Sequence, residues 1–196
     1  AKGKLLKKVA IKLNELNMIE KVFWSWDSQS IFVSVQDEGE NIYRINPHTG
    51  KKEIIFKGDY YSMPVAVNNN NILYLLESKE KGAEPSDCNI VKYDIKTKKF
   101  QTVDLSFVKD LYIYDDFTIS PNEKIIFVQS KGMTFVIDIC KKKIISKFIL
   151  PGFSFPDLPE IGEYSWKADS SYLVFSCLVS QKYGVYKYTV PQKYLK

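Results

Sequence analysis

The sequence is short of the residues that most recognition and catalytic chemistries need. Of its 28 basic side chains one, Arg44, is arginine, and His48 is the single histidine. The planar guanidinium fork suits bidentate reading of guanine edges and phosphates, whereas lysine is a flexible point charge. A formal net charge of +5 built on lysine therefore gives non-specific attraction to anions and argues against sequence-specific nucleic-acid recognition. The three cysteines, Cys88, Cys140 and Cys177, are scattered and form no C-x-x-C pair, which argues against a thiolate zinc site or a thioredoxin-like motif. They are expected as small buried or half-buried thiols. No HExxH, EF-hand loop, Walker A or GxGxxG sequence occurs, so neither a metal nor a cofactor is expected. With 9 Gly and 8 Pro the chain is neither collagenous nor of low complexity. No apolar run approaches the roughly 20 residues of a transmembrane helix. Ala1-Lys2-Gly3-Lys4 does not open the apolar core of a signal peptide, and the compartment stays open.

What is present in abundance is a repeated pattern. Trp26-Asp27-Ser28-Gln29-Ser30-Ile31-Phe32-Val33-Ser34 has relatives in Pro121 to Gln129 and Ala168 to Ser176, and a weaker one in Asn68 to Leu76. Each copy is a polar turn built on Asp or Asn, followed by a short run of β-branched and aromatic residues. Asp and Asn suit the turn because their side chains bond local backbone and tolerate left-handed conformations. The run that follows has the length and composition of a strand. A period-2 strand comes next in every copy: Asn41 to Pro47, Asn89 to Ile95, Thr134 to Ile139 and Val185 to Val190. In three of them a turn then leads to a further apolar strand, at Ile54 to Phe56, Phe100 to Leu105 and Ile144 to Leu150. Val65 to Val67, Phe117 to Ile119 and Tyr164 to Trp166 read as the strand before the next turn.

The turn residues Asp27, Asn69, Asn122 and Asp169 stand roughly 40 to 55 residues apart, four strands to a unit, the period of a β-propeller blade. Ser120-Pro121-Asn122-Glu123-Lys124-Ile125-Ile126-Phe127-Val128 resembles the S-P-D-G-K-x-I-A-F turn and strand of TolB-like (WD40-like) propeller repeats. Asn41 to Asn46 is similar to the strand that follows it in those repeats. One copy keeps Ser-Pro, none keeps the glycine, and the second copy is an asparagine run. The resemblance implies the fold. It leaves the function open, because such repeats occur in periplasmic scaffolds and in the propellers of serine peptidases.

The fold expected is all-β: one propeller domain over 1–196 with four blades, at about 22–57, 62–106, 115–150 and 162–196, each a four-stranded antiparallel meander. The last copy lacks a fourth strand, and Leu5 to Leu13 reads as an outer strand without predecessors. An outer strand at 1–13 that completes the last blade removes both unpaired edges. A slice of a larger propeller, and two chains completing one larger ring, stand as alternatives.

The lysine clusters fall at one place in the repeat, the turn into the outermost strand, where lysine opposes edge-to-edge aggregation. Gly152-Phe153-Ser154-Phe155-Pro156 lacks the second glycine and the following helix of a nucleophile elbow, and His48 sits in a rim turn, a poor place for the base of a Ser-His pair. Asp115, Asp116, Asp37, Glu38, Asp157 and Glu160 are turn and linker acids. A glycosidase needs two such groups about 5 to 10 Å apart, a separation that sequence does not establish. No catalytic residue is assigned. The connections between blades carry aromatics flanked by turn residues, and Tyr60, Tyr61, Phe153 and Phe155 are the candidate partner-binding residues, because aromatic anchors are enriched at interface hot spots. Trp24, Trp26 and Trp166 are expected to pack between blades. The expected function is thus a non-enzymatic scaffold for a protein or peptide partner. The alternatives are a propeller hydrolase with a glycosidase-like carboxylate pair, or the propeller part of a larger serine peptidase.

Overall fold

The computed structural model describes residues 18–25, 27–37, 39–58, 64–68, 71–78, 88–109, 111–113, 117–130, 132–149, 160–179 and 182–195. They form four antiparallel meanders in which every strand pairs with its neighbours in sequence. The first sheet comprises β1 (Met18–Trp24), β2 (Ile31–Asp37), β3 (Gly39–Ile45) and β4 (Lys52–Gly58). The second comprises β5 (Pro64–Asn68), β6 (Ile72–Ser78), β7 (Cys88–Asp94) and β8 (Lys99–Thr102), and the third β9 (Phe117–Ile119), β10 (Ile125–Ser130), β11 (Met133–Asp138) and β12 (Lys143–Phe148). The fourth has three described strands, β13 (Glu160–Trp166), β14 (Tyr172–Val179) and β15 (Lys182–Thr189). Leu5 to Leu13, expected to supply its outer strand, lies outside the described residues.

Alternation along the second strand of each sheet decides what the sheet touches. Side chains on a strand point to opposite faces in turn, and here each face meets a different neighbour. Leu73 and Leu75 of β6 join a core with Phe32, Ile42, Ile55 and Phe56 of the first sheet. Tyr74 and Leu76, the intervening residues, join one with Ile126, Val128 and Phe135 of the third. In β10 the same division holds, with Ile125 and Phe127 packing against Trp166, Leu173 and Phe175 of the fourth sheet. Counting from the turn residue, the fifth side chain (Phe32, Tyr74, Phe127) always faces the following sheet. The fourth (Leu73, Ile126, Leu173) always faces the preceding one. A slip of one residue would exchange the two cores, so the register of the second and third sheets is fixed by both neighbours. Aromatic rings fill the third boundary. The Phe127 centroid lies 5.1 Å from that of Phe175, and Phe148 stacks on Tyr188 at 5.8 Å.

Three expectations need correction. The strand read over Phe100 to Leu105 stops at Thr102. There Asp104 turns the chain by accepting the Ser106 backbone N–H at 3.1 Å and the Ser106 hydroxyl at 2.6 Å, which lifts the backbone off the sheet edge. Trp24 does not pack between sheets. It stands exposed on β1, on the face of the first sheet that no described sheet covers, whereas Trp166 is buried at the third boundary as expected. Trp26 lies outside the described residues. Of the thiols, Cys177 is buried and Cys88 half-buried, but Cys140 is exposed, because it occupies a rim turn and not a strand.

Candidate functional site

Two polar corners recur in the sheets, and both follow from local chemistry. The first joins the inner strand to the second. In Ser25 to Ser30 the Ser25 hydroxyl donates to Asp27 Oδ1 at 2.6 Å and accepts the Ser30 N–H at 2.9 Å. In Ser120 to Ile125 the Ser120 hydroxyl donates to Asn122 Oδ1 at 2.7 Å and accepts the Ile125 N–H at 2.9 Å. The fourth sheet replaces that serine with Lys167, whose ammonium pairs with Asp169 at 2.6 Å. All three corners place the residue after the Asp or Asn in the left-handed region: Ser28 at φ 58°, Glu123 at 56° and Ser170 at 63°. This is the slot that carries glycine in the repeats the sequence resembles, and here three residues with a Cβ hold it. The corresponding Asn69 lies outside the described residues.

The second corner joins the third strand to the outermost. Asn46 Oδ1 accepts the N–H groups of His48 and Thr49, and Asp94 Oδ1 accepts those of Lys96 and Thr97. Asp138 Oδ1 accepts that of Lys141. Each corner closes on a residue with positive φ: Gly50 at 75°, Lys98 at 59° and Lys142 at 47°. His48 is thus an exposed residue of a capped rim turn, aligned with plain lysine turns, and the lysine clusters lie where the sequence puts them, at the entry to β4, β8 and β12.

Several other polar groups among the described residues bridge sheets. The Glu123 carboxylate accepts both the Tyr74 hydroxyl and the Lys92 ammonium of the second sheet. The Asn122 N–H donates to Ser170 Oγ at 3.1 Å, and Trp166 Nε1–H to Thr118 Oγ1 at 3.2 Å, across the third boundary. The Tyr93 hydroxyl and the Lys98 ammonium both donate to the Ile55 carbonyl, each at 3.2 Å. The ionisation of these groups follows their partners. Burial, then the hydrogen bond to Glu123, pushes the Tyr74 phenol well above its ordinary range. The Lys142 ammonium beside Asp104, with Ser106, holds that carboxyl below the usual range, and Lys167 with Ser171 lowers Asp169 to about 2. These are shifts made by structural pairing, which perturbs ionisation as active sites do. Sequence reasoning missed the Glu123 clamp. The one signal for it was a glutamate standing in the turn's glycine slot.

Tyr60, Tyr61, Phe153 and Phe155, together with Ser154, Asp115, Asp116 and Asp157, lie outside the described residues, so they are neither brought together nor separated. Their place in the topology is clear. Tyr60 and Tyr61 stand between β4 and β5, Phe153 and Phe155 between β12 and β13, the same step of the repeat. The equivalent connection between β8 and β9 is described in part. It sends Val108 and Ile113 into the core between the second and third sheets, and Ser130 Oγ anchors it by accepting the Tyr112 N–H at 2.9 Å. Among the described residues no group of three or more His, Cys, Asp or Glu side chains is placed to hold a metal ion, and no helix is long and apolar enough to cross a membrane.

No family model and no curated protein matches the chain. Solved structures do. TolB from Acinetobacter baumannii matches with a TM-score of 0.63 at 16% identity, over 91% of this chain and 42% of TolB. The fold is that of a β-propeller. Hydrazine synthase of Kuenenia stuttgartiensis matches this propeller with a TM-score of 0.51 at 14% identity, over 89% of this chain and 46% of that one. A prolyl endopeptidase matches with a TM-score of 0.50 at 13% identity, over 90% and 27%. The chain spans less than half the length of each of these structures, and at such identities the likeness is one of fold.

Proposed function

We propose that the protein is a non-enzymatic propeller scaffold that binds a protein or peptide through aromatic side chains on the connections between its sheets, with Tyr60, Tyr61, Phe153 and Phe155 as the anchors. The observation that carries this reading is a division of labour along the repeat. The Asp and Asn side chains of the described corners hold their own turns, and Glu123 clamps two sheets. These groups answer to the fold. The four aromatics instead fall in outer-to-inner connections, which vary in length from one step of the repeat to the next. Loops carried on a rigid scaffold are the common place for recognition. Aromatic anchors there give large contact area, and a scaffold fixed by its own corners loses little conformational freedom on binding.

The test is affinity capture from the native cell extract with the unaltered chain and with a variant carrying Tyr60→Ala, Tyr61→Ala, Phe153→Ala and Phe155→Ala. The reading predicts a partner protein lost by the variant while its melting temperature stays within a few degrees. Loss of folding in the variant would make these residues core, as Val108 and Ile113 are in the equivalent connection, and would overturn the assignment.

A further inference from the structure

Each boundary between sheets is built the same way, and the two ends of the stack present its two halves. The leading face of the first sheet carries Val33, Val35 and Ile45 with Ile31 and Tyr43, the residues in phase with those that face a preceding sheet elsewhere. Around them stand exposed apolar side chains. Val22 is 58% exposed opposite Val33, Trp24 is 56% exposed opposite Ile31, and Ile54 is 43% exposed opposite Tyr43. The trailing face of the fourth sheet is in phase with those that meet a following sheet. Leu173, Phe175 and Cys177 point back to the third sheet, so Val174 and Ser176 on β14, and Lys187 and Val185 paired with them on β15, point away. Val185, opposite Ser176, is 79% exposed, and Tyr183, opposite Leu178, is 83% exposed. Apolar side chains this open, grouped on one sheet face, mark a surface that is covered by something else.

We infer that this surface is covered by a second copy of the chain, head to tail: the trailing face of the fourth sheet in one copy seats the leading face of the first sheet in the other. The argument is continuity. The chain already makes this contact three times within itself, with the fifth side chain after the turn meeting the following sheet and the fourth meeting the preceding one, and the open faces are the unmatched members of that series. Each contact pairs two unlike faces, and a two-fold axis relates the two contacts, so both ends are satisfied at once. The ring then holds eight sheets, within the span of about four to eight blades that propellers adopt.

The test is the mass in solution of the purified full chain, by sedimentation at concentrations up to about 100 μM, the weak end of specific association. The expected mass is twice 22.7 kDa. Trp24→Glu breaks the leading face and Tyr183→Glu the trailing face; both sites are exposed, and unchanged circular dichroism confirms folding. Each variant alone is expected to weaken the dimer by at least about tenfold, as loss of an aromatic anchor does. An equimolar mixture is expected to recover part of the association, because it restores one intact leading face to one intact trailing face. Val22→Lys and Val185→Lys serve as independent substitutions of the same two faces. A wild-type chain that stays monomeric, a dimer that neither face's variants weaken, or a dimer abolished by one face's variants and untouched by the other's would each overturn the proposal.

Discussion

Glu123 and Tyr74 meet across the boundary between the third and second sheets, the carboxylate accepting the phenolic hydroxyl, and Glu123 reaches it from a left-handed backbone conformation, φ 56°. The slot that suits glycine for the turn is here occupied by the residue that ties two sheets together. Backbone preference and inter-sheet bonding therefore oppose each other at this position, and they can be separated by substitution.

Ser28 occupies the equivalent slot at φ 58° in an exposed corner. Ser28→Gly is expected to stabilise the protein by about 0.5–1 kcal/mol by relieving the left-handed strain. Glu123→Gly relieves the same strain but leaves the part-buried Tyr74 hydroxyl and the Lys92 ammonium without their acceptor, and is expected to destabilise by about 1–2 kcal/mol net. Denaturant melts of the two variants check this. Equal shifts of the same sign would contradict it.

Gly50 closes the second corner of the first sheet at φ 75°, and a Cβ added there would meet nothing within 4 Å. Steric crowding is therefore absent, and only backbone strain remains. Gly50→Ala is expected to cost about 1 kcal/mol, and Gly50→Asn less, because Asn tolerates the left-handed region. Thermal melts of the pair decide it; an Asn variant no better than Ala would show that something other than φ sets the cost.

Acid should weaken the corners in a defined window. Lys167 and Ser171 lower the Asp169 carboxyl to about 2, and Lys142 and Ser106 lower that of Asp104. A carboxyl whose folded value lies below its unfolded value of about 3.9 contributes its full stability above that value and loses it as pH falls through the folded one. The melting temperature is expected to fall between about pH 4 and pH 2, and Asp169→Asn to flatten part of that fall. Both groups are solvent-exposed, so added salt should shrink the difference. A variant with an unchanged slope would contradict the pairing.

The legible part of this fold is the part written in local chemistry. Val, Ile and Phe runs opening on Asp or Asn gave the second strand of each sheet, and the Asn46, Asp94 and Asp138 turns could be located by their residue types. The glycine slot was legible as a departure, though not as a strained conformation. What sequence did not show depends on contacts distant along the chain. Glu123 and Tyr74 are 49 residues apart, and nothing local links them. Trp24 departs from the expected packing because an aromatic on an inner strand packs between sheets only where a further sheet covers that face. The end of β8 at Thr102 depends on a turn at Asp104 that interrupts an otherwise suitable strand. The four candidate anchor aromatics lie outside the described residues, and sequence places them only between the strands on either side.

The repeat geometry rests on alternation: neighbouring side chains of one strand belong to different inter-sheet cores. The most direct measurement is a nuclear Overhauser spectrum of the Ile126 and Phe127 side chains. Contacts from Ile126 to Tyr74 and Ile90 of the second sheet, and from Phe127 to Phe175 of the fourth, are predicted. Contacts from both residues to the same sheet would contradict it.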